Sequence, residues 1–259
     1  MSALLEITNL SQQVQVHNTW FKRRKIEILK SINLTLKQGH TLSLIGESGS
    51  GKSTLARLIA GLNQPTEGEI CINGEPLEYG EHSKRCKLIR MIFQDPNTSL
   101  NPRCRIGQIL EVPLALNTYL QEQQRKQRIA STLKLVGLLP EHAQYYPQML
   151  SNGQKQRVAL ARALILNPKI VVADESISSL DVSVRSQIIN LLLELQERFA
   201  LSYIIVSNDL GMVSHMSDQV AVMHQGEIVE WATTQTLFEQ PQHEITQRLL
   251  NAYNTEFKK

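Results

Sequence analysis

No apolar run in this 259-residue chain approaches the ~18 consecutive residues that a membrane-spanning helix needs. Any meeting with a membrane is therefore expected to run through a partner. The opening Met1-Ser2-Ala3-Leu4-Leu5-Glu6 has neither a charged n-region nor a long apolar stretch, so no export leader is expected. Cysteine is scarce: Cys71, Cys86 and Cys104 are odd in number and show no C-x-x-C spacing. That excludes a disulfide framework or a cysteine metal site and fits reduced thiols in the cytosol. Charge of one sign is lacking too. The 27 basic and 24 acidic side chains leave only +3, too little to support nucleic-acid binding, although an anionic surface stays open as a neighbour. What the chain does have is enough apolar residues, 42%, to fill the core of one large domain or two modest ones.

The most informative stretch is Gly46-Glu47-Ser48-Gly49-Ser50-Gly51-Lys52-Ser53-Thr54, set between the apolar run Thr41 to Ile45 and a helical pattern from Leu55 to Gly61. Glycines let such a loop curl so that successive N–H groups face a phosphate, and the helix N-terminus behind it adds partial positive charge. Lys52 then reaches the β- and γ-phosphates of a nucleotide as a point charge, and the Ser53 hydroxyl ligates Mg²⁺. This is the P-loop pattern in the strand–loop–helix context that it requires.

Around that unit, Leu4 to Leu10 reads as a short strand, and the basic run Lys22 to Lys25 as a solvated loop. A second strand spans Ile28 to Leu36, ending at the turn Gln38-Gly39. Leu88 to Phe93 is a buried-strand pattern that stops at Gln94-Asp95-Pro96. From Leu100 to Leu150 the pattern turns helical, with breaks at Gly137 and Pro140. Leu150-Ser151-Asn152-Gly153-Gln154 then leads into a helix, placing a hydroxyl and open N–H groups at its start. That is either a second anion site or simply a helix cap. Next, Lys169 to Ala173 is an apolar strand ending in Asp174-Glu175. There Asp174 can hold Mg²⁺ through water and Glu175 can polarise an attacking water. Gln219 to Met223 and Gly226 to Glu230 read as a hairpin, and Thr234 to Tyr253 as terminal helices.

The order of P-loop, Gln94, Leu150 to Gln154, Asp174-Glu175 and Ser179-Leu180-Asp181 resembles the nucleotide-binding subunits of ATP-binding-cassette (ABC) transporters along the whole chain. Gln94 to Pro96, Ser99 to Arg103 and the tail Gln240 to Thr246 are most similar to the oligopeptide and dipeptide branch. The resemblance implies an α/β fold: a P-loop NTPase cassette with an N-terminal antiparallel β subdomain and a helical subdomain carrying the signature. It divides the chain into a nucleotide-binding core (1–99 and 167–231), a helical part (100–166) and a C-terminal helical tail (232–259). It also assigns roles. ATP would be bound by Gly46, Glu47, Ser48, Gly49, Ser50, Gly51, Lys52, Ser53 and Thr54, and, from a facing cassette, by Ser151, Gly153 and Gln154. Mg²⁺ would be held by Ser53, Gln94 and Asp174. Catalysis would fall to Glu175, Gln94 and Asn208, with a D-loop at Ser178 to Asp181.

Three departures from the family pattern shape the expected mechanism. Ser207-Asn208-Asp209 stands where the family has Ser-His-Asp, so an uncharged amide replaces an imidazole, and His215 and His224 lie too far along the chain to stand in. Asn152 replaces a signature glycine, adding a Cβ where a partner's nucleotide must approach. The adenine-stacking aromatic falls near Val14, leaving Trp20 or Phe21 to supply it. The implied function is an ATPase subunit for transport of peptides or similar cationic substrates, at the cytoplasmic face of the bacterial inner membrane. Its implied partners are two permease subunits, a paralogous cassette and, indirectly, a periplasmic binding protein, with no nucleic acid. Polyamine export and a largely non-hydrolysing regulatory cassette are the alternatives.

Overall fold

The computed structural model describes residues 3–17, 23–93, 95–175 and 181–256. The chain runs β1 (Leu5–His17), β2 (Arg23–Leu36), β3 (Thr41–Ile45), α1 (Lys52–Ala60), β4 (Glu67–Ile72), β5 (Glu75–Pro76), α2 (His82–Leu88), β6 (Ile89–Ile92) and α3 (Pro96–Ser99). It continues through α4 (Ile106–Asn117), α5 (Glu122–Leu135), two short 3₁₀ turns, α6 (Asn152–Leu164), β7 (Ile170–Asp174) and α7 (Val182–Phe199). The last part is β8 (Ser202–Val206), α8 (Leu210–Met216), β9 (Gln219–His224), β10 (Glu227–Thr233), α9 (Thr234–Glu239) and α10 (Glu244–Glu256). These elements form two compact units, Met1–His82 with Ser202–Lys259, and Ser83–Leu201.

The first unit holds an antiparallel sheet in the order β2-β1-β4-β5, and strands in the order β10-β9-β3-β8. β3 pairs in parallel with β8 on one side (Leu42↔Ile204) and β9 on the other (Leu44↔Ala221). A strand paired on both edges is expected to be buried along its length, and all five residues of β3 are, including the polar Thr41 and Ser43. The Ser43 hydroxyl pairs with that of Ser217 at 2.6 Å. α8, α9 and α10 close one side of this core, where Ile45, Val220 and Val222 pack with Leu210, Val213, Leu237, Ile245 and Leu250.

The N-terminal strands are longer than expected, and the basic loop is a correction. Arg23, Arg24 and Lys25 belong to β2, paired with His17, Val16 and Gln15 of β1. The pairing continues out here because the ladder satisfies the backbone groups, while Val14 and Ile26, paired across the strands, are 39% and 44% exposed. The alternation of Val14 and Val16 with Gln13 and Gln15 was a strand signal that the sequence analysis passed over.

In the second unit β6 pairs in parallel with β7 (Arg90↔Val171). The helices α4, α5 and α6 pack on one another through buried Ile109, Leu110, Leu114, Ile129, Leu133 and Leu160. α7, which the sequence analysis did not identify, is opened by the Asp181 carboxylate accepting the Val184 N–H at 3.0 Å. It buries Ile188, Ile189, Leu191, Leu192 and Leu195.

Candidate functional site

In the first unit, the loop between β3 and α1 has positive φ at Gly46, Gly49 and Gly51. Gly46 allows no substitute: a Cβ there would stand 2.1 Å from the Met223 carbonyl oxygen, because β9 runs directly alongside. Lys52, the first residue of α1, is 5% exposed. Its Nζ donates to the Gly46 carbonyl at 2.8 Å, the Glu47 carbonyl at 2.9 Å and the Ser50 hydroxyl at 3.4 Å. The cation is thus desolvated and held by neutral dipoles of the loop itself, a state that an arriving anion improves. Loop and lysine fit a phosphate group. Ser53, the next residue of α1, is half-buried.

Asn208 follows buried β8, whose end is pinned to β3 by the Ser207 N–H donating to the Leu44 carbonyl. Its neighbour Asp209 accepts the Met212 N–H at 3.0 Å and starts α8. Asn208 is exposed and lines a cavity of about 270 Å³ together with Gly46, Glu47 and Ser48. The structure thus brings the amide and the first turn of the P-loop to one space.

His224, expected to lie too far along the chain to stand in for an imidazole at position 208, nonetheless reaches the P-loop. Its Nδ1 stands 3.7 Å from Oε2 of Glu47, while Arg248 of α10 reaches Oε1 of Glu47 at 3.7 Å. Separation in sequence misled because β9 lies beside β3 and ends at the loop. The adenine contact has no aromatic at its expected place: Val14 sits on the exposed part of the hairpin, and Trp20 and Phe21 lie outside the described residues.

In the second unit, β7 is buried along its length and ends in Asp174, itself 6% exposed. Glu175 follows with φ of +46°. A non-glycine residue in the left-handed region costs on the order of 1 kcal/mol and tends to persist where function fixes it. Gln94 and the expected D-loop residues 178–180 lie outside the described residues; Asp181 serves as the α7 cap.

Of the two readings of Leu150 to Gln154, the helix cap is present. Ser151 Oγ accepts the Gln154 N–H at 3.3 Å and Gln154 Oε1 accepts the Ser151 N–H at 3.0 Å, a reciprocal box opening α6. Capping does not exclude an anion, since Ser151 and Asn152 remain exposed at the same helix start. Gly153 also has a packing reason, because a Cβ would lie 2.9 Å from Cγ1 of Val184 on α7.

The second unit further contains a groove of about 740 Å³ that sequence reasoning missed. Phe93, Ile109 and Val112 supply apolar walls, and Arg90 and Arg162 the charge, with no carboxylate among the lining residues. Burial lowers the pKa of both guanidiniums, and Arg90 lowers that of Arg162 further. Among the described residues no helix is long and apolar enough to cross a membrane, and no group of three His, Cys, Asp or Glu side chains gathers into a metal cage.

Residues 29–178 match the family model described as ABC transporter. The chain is 55% identical over 250 residues to the putrescine export system ATP-binding protein SapF of Escherichia coli strain K12, covering 96% of this chain and 93% of that one. It is 54% identical over the same lengths to the peptide transport system ATP-binding protein SapF of Salmonella typhimurium strain LT2. Among solved structures, it resembles the ATP-binding cassette MJ0796 in a dimeric post-hydrolysis state bound to ADP and Pi. That match has a TM-score of 0.77 and 30% identity, and covers 89% of this chain and 98% of that one.

Proposed function

Because this chain belongs to the ABC transporter family, we propose that it is the ATP-binding and ATP-hydrolysing subunit of a membrane transporter for peptides. The observation that carries the reading is the buried Lys52 ammonium, held on the carbonyls of Gly46 and Glu47 in a loop whose first glycine cannot bear a Cβ. Such a loop has few other uses than cradling the phosphates of a nucleotide.

In this mechanism the residues from Gly46 to Thr54 bind the triphosphate, and Lys52 turns from the loop carbonyls to the β- and γ-phosphates. Ser53, Gln94 and Asp174 would hold Mg²⁺, which supplies charge neutralisation along the phosphates; such an ion commonly keeps one or two protein ligands and needs no all-protein cage. Glu175 orients and polarises the attacking water. Asn208 donates its amide toward the transferring phosphoryl group. Ser151, Gly153 and Gln154 serve the nucleotide of a facing, paralogous cassette, so the pair closes around ATP and opens after hydrolysis. The working division is a nucleotide-binding core of 1–99 and 167–231, a helical part of 100–166 and a tail of 232–259.

The permease subunits are proposed to hold this chain as a peripheral protein at the cytoplasmic face of the inner membrane. The groove with Phe93, Val112, Arg90 and Arg162 supports this, since an apolar trough with two arginines and no carboxylate among its lining residues suits a permease segment that carries apolar and acidic side chains. A periplasmic binding protein enters only through those permeases. Peptide is favoured as cargo by the peptide-transport relatives. The relative named for putrescine export keeps a polyamine as the second reading.

The test is ATP binding and turnover of purified Lys52→Ala and Glu175→Gln, with peptide and putrescine flux in vesicles carrying the assembled transporter. Lys52→Ala should bind no ATP, and Glu175→Gln should bind it without turnover. Wild-type binding by Lys52→Ala would remove the P-loop from the reading, and putrescine flux without peptide flux would reassign the cargo.

A further inference from the structure

One element beside the P-loop has no part in the mechanism above. α10 buries Ile245 and Leu250 in the core of the first unit, against the cluster that includes Ile45 at the end of β3. Residues 248, 249, 252 and 253 follow one another on one face of that helix at spacings of one, three and one. That face meets the P-loop. Leu249, Ala252 and Tyr253 wall the cavity of about 270 Å³ whose other walls are Gly46, Glu47, Ser48 and Asn208. Arg248 reaches Oε1 of Glu47 at 3.7 Å, so both the charged and the apolar side chains of this face are engaged at the loop.

The phenol of Tyr253 reaches α8. A Cβ built on Gly211, in the first turn of α8, would lie 3.0 Å from Tyr253 Oη and 3.3 Å from Asp209 Oδ1. A side chain at 211 would crowd the hydroxyl, and the phenol tip and the Asp209 carboxylate thus stand beside the same point of α8. Tyr253 is half-buried with its polar tip at this turn, an arrangement in which a phenol both donates and accepts.

We propose that α10 is part of the nucleotide site and that Tyr253 is a positioning residue for hydrolysis, its hydroxyl holding the turn so that the Asn208 amide faces the cavity beside Gly46 to Ser48. Asn208 is exposed and short, and a hydroxyl carried on a helix whose inner face is packed into the core can hold the turn beneath its amide at little entropic cost. The exposed Arg248–Glu47 contact adds a weak link between the helix and the loop. This inference rests on the ATPase reading.

The test is steady-state ATP hydrolysis by the full chain, with kcat and KM separated and the thermal midpoint recorded. Tyr253→Phe removes one oxygen and keeps the ring. It should lower kcat about fivefold, the worth of one neutral hydrogen bond, and leave KM and the midpoint unchanged. Gly211→Ala, which crowds the hydroxyl by a few tenths of an ångström, should lower kcat in the same direction. Added to Asn208→Ala, Tyr253→Phe should have no further effect, because the residue acts through the amide. An unchanged kcat in Tyr253→Phe, or an equal further loss in the Asn208→Ala background, overturns the proposal while leaving the ATPase reading intact. If the wild-type chain binds no ATP and Lys52→Ala changes nothing, the ATPase reading itself falls.

Discussion

In the proposed mechanism Asn208 sets how fast the site works. An amide supplies one uncharged donor, and loss of a preorganised charged donor to a transferring group typically lowers turnover by about 10² to 10³. Asn208→His should raise kcat by at least tenfold with little change in ATP affinity, because the contact strengthens in the transition state. Steady-state kinetics beside equilibrium ATP binding checks this; tighter binding at unchanged rate would make the residue a ground-state sensor of the γ-phosphate. Glu175 makes a second case. Its φ of +46° stores strain that asparagine or glycine would relieve, so Glu175→Gly should gain stability of roughly 1 kcal/mol in chemical denaturation while abolishing turnover. A Glu175→Gly protein as active as wild type would take the carboxylate out of the mechanism. These residues were legible in the sequence because their chemistry is local: a cation after a glycine loop, a carboxylate after an apolar strand. His224 and Tyr253 were not, since their place at Glu47 and Asn208 arises from strand pairing and helix packing that no spacing encodes.

Elements were legible where one face is buried and silent where it is not. β3 and β7 announce themselves as apolar runs, whereas the outer half of the β1–β2 hairpin mixes exposed Val14 and Ile26 with polar residues on a backbone ladder. α10 was expected as a helix, but its anchorage was not, because that depends on one carboxylate twelve residues upstream. Glu230 on β10 accepts the N–H groups of Gln242 and His243 at 2.9 Å each, at the entry to α10. Burial pushes the Glu230 carboxyl up, but these hydrogen bonds and the His243 ring overcome it and hold the group below its ordinary value of 4.5. A depressed carboxylate contributes stability that is complete above the unfolded pKa and is lost as pH falls through the lower folded one. Glu230→Gln should therefore be less stable than wild type at pH 7, by less than about 1 kcal/mol because the carboxylate is largely solvent-screened, and the gap should close as pH falls below 4.5 in denaturant titrations. A gap that is constant with pH would show that the charge does not anchor the helix. Similarly, Ser151→Ala should cost about 1 kcal/mol through the lost cap of α6.

At the scale of the whole molecule, the question is what faces the start of α6. Asn152 is the first residue of that helix and stands exposed beside the Ser151 cap, so its side chain projects where Ser151, Gly153 and Gln154 are proposed to meet a partner's nucleotide. Two copies of this chain would bring that side chain to both composite sites, whereas pairing with a paralogous cassette that has glycine there brings it to one. The slow Asn208 site makes the same asymmetry useful, since one fast and one slow site give a pair an order of firing. The ATP-loaded Glu175→Gln chain should therefore run as a monomer in gel filtration and shift to a dimer when the paralogous cassette is added. Asn152→Gly should promote self-association of the same protein, by removing atoms from a crowded approach without touching the Ser151–Gln154 cap. A tight homodimer of the Asn152-bearing chain, formed with ATP and no partner, would show that the side chain is accommodated and would end the argument for an asymmetric pair.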